Sequence, residues 1–87
     1  MIEKRIKITH EKGLHMRPAM ILTDKAGKFN CDIQISKDDQ TVDGKSIMSV
    51  FMLAVEQGQE IVITTDGDDE QEAMDALEEI VNNNFNM

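Results

Sequence analysis

The first stretch with a clear periodicity is residues 2–9 (IEKRIKIT), where Ile2, Ile6 and Ile8 fall on one face at period two and Lys4 is the exception. This pattern predicts a half-buried strand. Glu11-Lys12-Gly13 reads as a loop with glycine as its flexible point. From Met16 to about Ala26 the residues Met16, Ala19, Met20, Thr23 and Ala26 recur at helical spacing. Pro18 suits the first turn of a helix, where its missing N–H costs nothing, and would break a later one. The helix is therefore expected to begin near His15 or Met16, with Gly27 as its stop.

Residues 31–36 (CDIQIS) alternate Cys31, Ile33 and Ile35 with polar partners and predict a second strand. Lys37-Asp38-Asp39 turns into a short third strand around Gln40–Val42. Asp43-Gly44 breaks the chain, and Ser46 stands as a suitable N-cap for a short helix carrying Ile47, Met48, Val50, Phe51 and Leu53. Gly58 is expected to end that helix. Residues 60–65 (EIVITT) form a fourth, β-branched strand, followed by an Asp66-Gly67 turn. Asp68 with Gln71 three residues on resembles a capping box. Ala73, Ala76, Leu77, Ile80 and Val81 then line one face of a last helix to about Asn83, and residues 82–87 (NNNFNM) read as a frayed end. One-sided strands and one-sided helices in the order βαββαβα imply a sheet covered by helices on a single face.

A chain of 87 residues has apolar surface for one core, so 1–87 is expected to be a single domain. Aromatics are only 3%, with neither Trp nor Tyr, which leaves the packing to aliphatic and Met side chains. No apolar run approaches a membrane span. A secretory leader is not evident either, which points to a cytoplasmic protein. The one cysteine, Cys31, offers no disulfide and no Cys-based metal set, and both Cys31 and His10 are read as structural. The net charge of −8 argues against a nucleic-acid partner. That charge is uneven: residues 1–28 hold seven basic groups against three acids, net +4, and residues 29–87 hold two against fourteen, net −12. A positive N-terminal segment can draw an anion or an acidic surface, unless folding intermingles the two parts.

His15 is the sharpest candidate for chemistry. It directly precedes a helix whose first turn offers unpaired N–H groups and a partial positive charge. Imidazole is available as a neutral nucleophile near physiological pH. Arg17 could bind phosphate oxygens bidentately. The plainer alternative is a loop histidine or weak cap. Ser46 likewise reads either as a helix cap alone or as a modification site. Met16, Met20, Ile47, Met48 and Phe51 are either core or an exposed apolar patch; Ile47, Met48 and Phe51 cannot all face the same way as Val50 and Leu53, and Met-rich surfaces suit several partners.

Gly13-Leu14-His15-Met16-Arg17-Pro18-Ala19 resembles the active-site segment of the HPr family, the histidine-containing phosphocarriers of the bacterial phosphoenolpyruvate-dependent sugar phosphotransferase system. Gly44-Lys45-Ser46-Ile47-Met48-Ser49-Val50 is similar to that family's regulatory segment, in wording closer to its Gram-positive branch. Element order, length, and the Gly58 and Gly67-x-Asp69-Glu70 punctuation extend the resemblance to essentially the whole chain. It implies an α+β open-faced β-sandwich, a four-stranded antiparallel sheet under three helices.

The resemblance also implies phosphorylation of His15 on Nδ1 by Enzyme I, with onward transfer to sugar-specific IIA proteins. No metal or organic cofactor is implied, and the chain is a relay component, not a stand-alone enzyme. Ser46 would be the target of an ATP-dependent kinase/phosphorylase and, once modified, a handle for a catabolite regulator. The starts of the two helices are expected near one partner-binding face. A monomer is expected. The alternative is an HPr-like regulatory protein acting mainly through Ser46, in catabolite control or a nitrogen-related phosphorelay. Two departures bear on partner choice: Met16 stands where many members have Ala or Thr, and Ala54 where many have Gly.

Overall fold

The computed structural model describes residues 1–86. The elements are β1 (Ile2–Lys7), α1 (Met16–Ala26), β2 (Asp32–Lys37), β3 (Gln40–Asp43), α2 (Ile47–Met52), β4 (Glu60–Asp66) and α3 (Glu70–Asn82). The four strands form one antiparallel sheet in the order β1-β4-β2-β3. Register follows the side-chain period of two. Ile6 lies opposite Ile61, while Ile63 is flanked by Lys4 and Ile35, and Thr65 by Ile2 and Ile33. One face of the sheet thereby gathers the buried Ile6, Ile33, Ile35, Ile61 and Ile63, each stabilising the fold by about 1.5–3 kcal/mol. Lys4, the break in the first strand's pattern, reaches from this edge strand to Glu78 of α3, Nζ to Oε1 3.1 Å.

The helices cover that face, as their stripes require. α1 buries Ala19, Leu22, Thr23 and Ala26, and α3 buries Ala73, Met74, Leu77, Ile80 and Val81. Met16 and Met20, placed by spacing with the α1 stripe, instead lie outside it, 40% and 51% exposed. In α3, Met74 is buried where Ala76 is only half-buried.

Three expectations about element ends are corrected. α2 stops at Met52, six residues before Gly58, because Ala54 takes the left-handed turn at φ 55°. The cap of α3 is Asp69, one residue later than the Asp68–Gln71 box. Its carboxylate accepts from Asn30 N–H (2.8 Å) and Cys31 N–H (2.9 Å), tying the start of β2 to α3, while Glu70 accepts from Gly67 N–H at 3.1 Å. Last, the segment read as frayed forms a 3-10 turn at Asn84–Asn86 and buries Phe85 completely. Phe85 packs edge-on against His10, with ring centroids 5.9 Å apart and planes at 76°. Met87 lies outside the described residues.

Candidate functional site

Helix α1 begins on His15, whose backbone is extended (φ −67°, ψ 178°) and whose carbonyl accepts the first helical bond from Ala19 N–H at 2.9 Å. The imidazole makes no capping bond and is exposed. Met16 and Arg17 carry the first-turn N–H groups that precede any acceptor within the helix, and Pro18 has none to offer. An exposed ring therefore stands beside two amide donors at the positive end of an eleven-residue helix. Arg17 is also exposed, and it forms no ion pair among the described residues. Its guanidinium is not committed elsewhere.

The loop before His15 is held from two sides. Gly13 N–H donates to His10 carbonyl (2.9 Å), and His10 Nδ1 accepts from Lys12 N–H (3.1 Å). Leu14 is buried and its N–H donates to Val55 carbonyl at 2.9 Å. Gly13 has φ +63°, and a Cβ there would collide with the Val55 carbonyl and lie 2.8 Å from Glu56 Cα. Only glycine satisfies both the dihedral and the close approach. Beside His15 this leaves an open depression of about 340 Å³ lined by Leu14, Phe51, Met52, Ala54, Val55 and Glu56.

Helix α2 lies along α1. Its end adjoins Leu14 and His15, while its start, at Lys45 and Ile47, borders a wider groove with Met20, Ile21, Asp24 and Lys28. The two helices thus run in opposite directions. Ser46 thus stands at the start of α2 and His15 beside its end, across a helix of six residues and so about 9 Å long. Ser46 caps α2: its Oγ accepts from Ser49 N–H at 3.4 Å and is 3.0 Å from Ser49 Oγ. Lys45 Nζ donates to Phe29 carbonyl at 2.7 Å.

Of the apolar candidates, Met16, Met20 and Met48 are exposed, whereas Ile47 and Phe51 are half-buried against the core. Patterning missed Met52, which is 73% exposed at the edge of the His15 depression. Its spacing of four from Met48 was the available signal, masked by the surrounding apolar run. Among the described residues no cluster of three or more His, Cys, Asp or Glu gathers to hold a metal, and no helix is long and apolar enough to cross a membrane.

The family model described as PTS HPr component phosphorylation site matches residues 2–83. The chain is 44% identical over 85 residues to Phosphocarrier protein HPr of Cupriavidus necator, covering 98% of this chain and 96% of the relative. It is 43% identical to the HPr-like protein Crh of Halalkalibacterium halodurans, covering 88% and 92%. The crystal structure of HPr-C-His from Thermoanaerobacter tengcongensis superposes with a TM-score of 0.96 at 39% identity, covering 100% of this chain and 98% of that one. The four-stranded antiparallel sheet under three helices is thus the fold of solved HPr structures, and this chain belongs to the HPr phosphocarrier family of the phosphotransferase system.

Proposed function

We propose that the chain accepts a phosphoryl group on Nδ1 of His15 from phospho-Enzyme I, drawn from phosphoenolpyruvate, and passes it to sugar-specific IIA proteins. The observation that supports this most is an exposed imidazole that begins α1 without capping it. A ring that capped the helix would have its acceptor nitrogen engaged; this one makes no such bond and is exposed. The phosphoryl group would meet the Met16 and Arg17 amides and the helix end, each such charge–dipole interaction contributing about 0.3–1 kcal/mol. Arg17 would neutralise the oxygens, and donor and acceptor proteins would supply the rest of each site. Positioning and charge stabilisation suffice for such a transfer, and no cofactor enters the scheme. In this reading the protein is a cytoplasmic monomer, and Met16, Met20, Ile47, Met48 and Phe51, joined by Met52, form the partner-binding ridge.

Incubation with phosphoenolpyruvate and a cognate Enzyme I tests it. The expected label is lost in acid, survives alkali, and is absent from His15→Ala. Equal labelling of His15→Ala would overturn the proposal.

A regulatory role for Ser46 is the second reading, supported by its place at the start of the helix whose end adjoins His15. A phosphate there replaces a hydroxyl bonded to Ser49 with a charge of about −1.5 to −2. An HPr kinase/phosphorylase would add it, and a catabolite regulator with Arg or Lys would read it. A protein acting through Ser46 alone, as in catabolite control or a nitrogen-related relay, would have no need of an open His15 with Arg17 beside it.

A further inference from the structure

The turn that receives the His15 loop is itself held by one cation. Lys37, at the end of β2, donates from Nζ to the carbonyls of both Leu53 and Ala54, each at 3.1 Å. The two carbonyls stand at and just beyond the C-cap of α2, where no further helical turn supplies an N–H. The next carbonyl, Val55, accepts from Leu14 N–H, immediately before His15. Three consecutive carbonyls are thus tied to donors outside their own segment, two to Lys37 and one to the phosphoacceptor loop. Ala54, between them, holds φ 55°, a conformation that disfavours any residue with a Cβ. An ammonium at the negative end of α2 offsets that strain by charge–dipole attraction as well as by hydrogen bonds. Lys37 is in turn fixed by the β2–β3 hairpin, where it pairs with Gln40.

We propose that Lys37 is a positioning residue for phosphoryl transfer, holding the Leu53–Val55 turn so that Val55 sets the height of Leu14 and His15. The proposal rests on the phosphocarrier reading. It concerns placement of the ring, not contact with the phosphoryl group. Misplacement of a reacting group by about 1 Å can cost on the order of 10²-fold in rate, so a loosened turn should show in transfer.

The test compares parent, Lys37→Met, Lys37→Arg, Lys37→Met with Ala54→Gly, and Lys7→Met as a charge control on the uncovered face of the sheet. Transfer from phospho-Enzyme I is timed at saturating and sub-saturating donor, and the Leu14 amide is followed by ¹⁵N NMR. Lys37→Met should transfer about three- to tenfold more slowly at saturating donor and shift the Leu14 amide, while Lys37→Arg stays near the parent. Ala54→Gly should restore both readouts in the Lys37→Met background, because glycine takes the turn without strain. Lys7→Met should match the parent at saturating donor. An unmoved Leu14 amide in Lys37→Met, or a rate loss that Lys7→Met reproduces and Ala54→Gly leaves in place, overturns the proposal. A parent that takes no label defeats the phosphocarrier reading instead; the Leu14 amide alone then decides whether Lys37 holds the loop.

Discussion

Around His15 the charges are few and exposed, so single side chains should act on transfer far more than on folding. Arg17 forms no ion pair among the described residues and lies on the surface. Its replacement by Ala should leave the unfolding free energy within about 0.5 kcal/mol of the parent. Phosphorylation of His15 in the same variant should slow by roughly tenfold or more, as expected when a charge-assisted donor to a transferring group is lost. Lys at this position should recover only part of the rate, since a point charge replaces a planar fork. Unchanged kinetics in Arg17→Ala would remove Arg17 from the site.

The elements matter through how they meet. The His15 loop touches the turn after α2 at Gly13, where no Cβ fits. Gly13→Ala should therefore destabilise the fold by about 2 kcal/mol or more, from the left-handed dihedral together with the collision. It should also slow labelling of His15, which urea unfolding and timed transfer would separate. At the other end of α2, Ser46 caps the helix through the Ser49 N–H. Ser46→Asp should reduce Enzyme I-dependent labelling of His15, because a negative charge near the exposed methionines raises the desolvation cost of docking there and repels an acidic partner. Ser46→Ala should label near normally while losing about 1 kcal/mol of stability with the cap. Added salt should narrow the gap between the two variants, since screening acts over about 10 Å at 0.1 M. Equal rates at low salt would reduce Ser46 to a cap.

On the scale of the whole molecule, stability in acid depends on a contact that joins distant segments. The amide of Asn30, above all, holds the Asp69 carboxyl below its ordinary value near 3.8, with the thiol and amide of Cys31 adding to the effect and partial burial opposing it. A depressed carboxyl contributes stability that is fully present above the unfolded value and is lost as pH falls through the folded one. Asp69→Asn should therefore unfold earlier than the parent at pH 7. The difference should shrink as pH drops below about 3.8 and vanish once both states are protonated. A gap independent of pH would mean that Asp69 acts by shape alone. Glu70 adds to the same trend, its carboxyl lowered chiefly by the N-terminal ammonium and then by Gly67 N–H.

Local patterning was enough to read the four strands, the three helices and their one-sided faces, because periods of two and 3.6 are properties of neighbouring residues. It was also enough to set His15 and Ser46 at helix starts, and the segments around them carried the family. Tertiary structure decided what depends on distant partners. Lys4 interrupts an apolar face until Glu78 of α3 comes to meet it. Residues 82–87 look polar and loose until His10, far away in sequence, supplies a wall for Phe85. The methionines at 16, 20, 48 and 52 share the spacing of core residues, and only the way α1 and α2 lie against the sheet leaves them uncovered. Gly13 reads as a flexible loop residue, yet its place follows from a backbone 42 positions away. Burial and close approach are set by what the chain folds against, and the order of residues along it records only the local half of that.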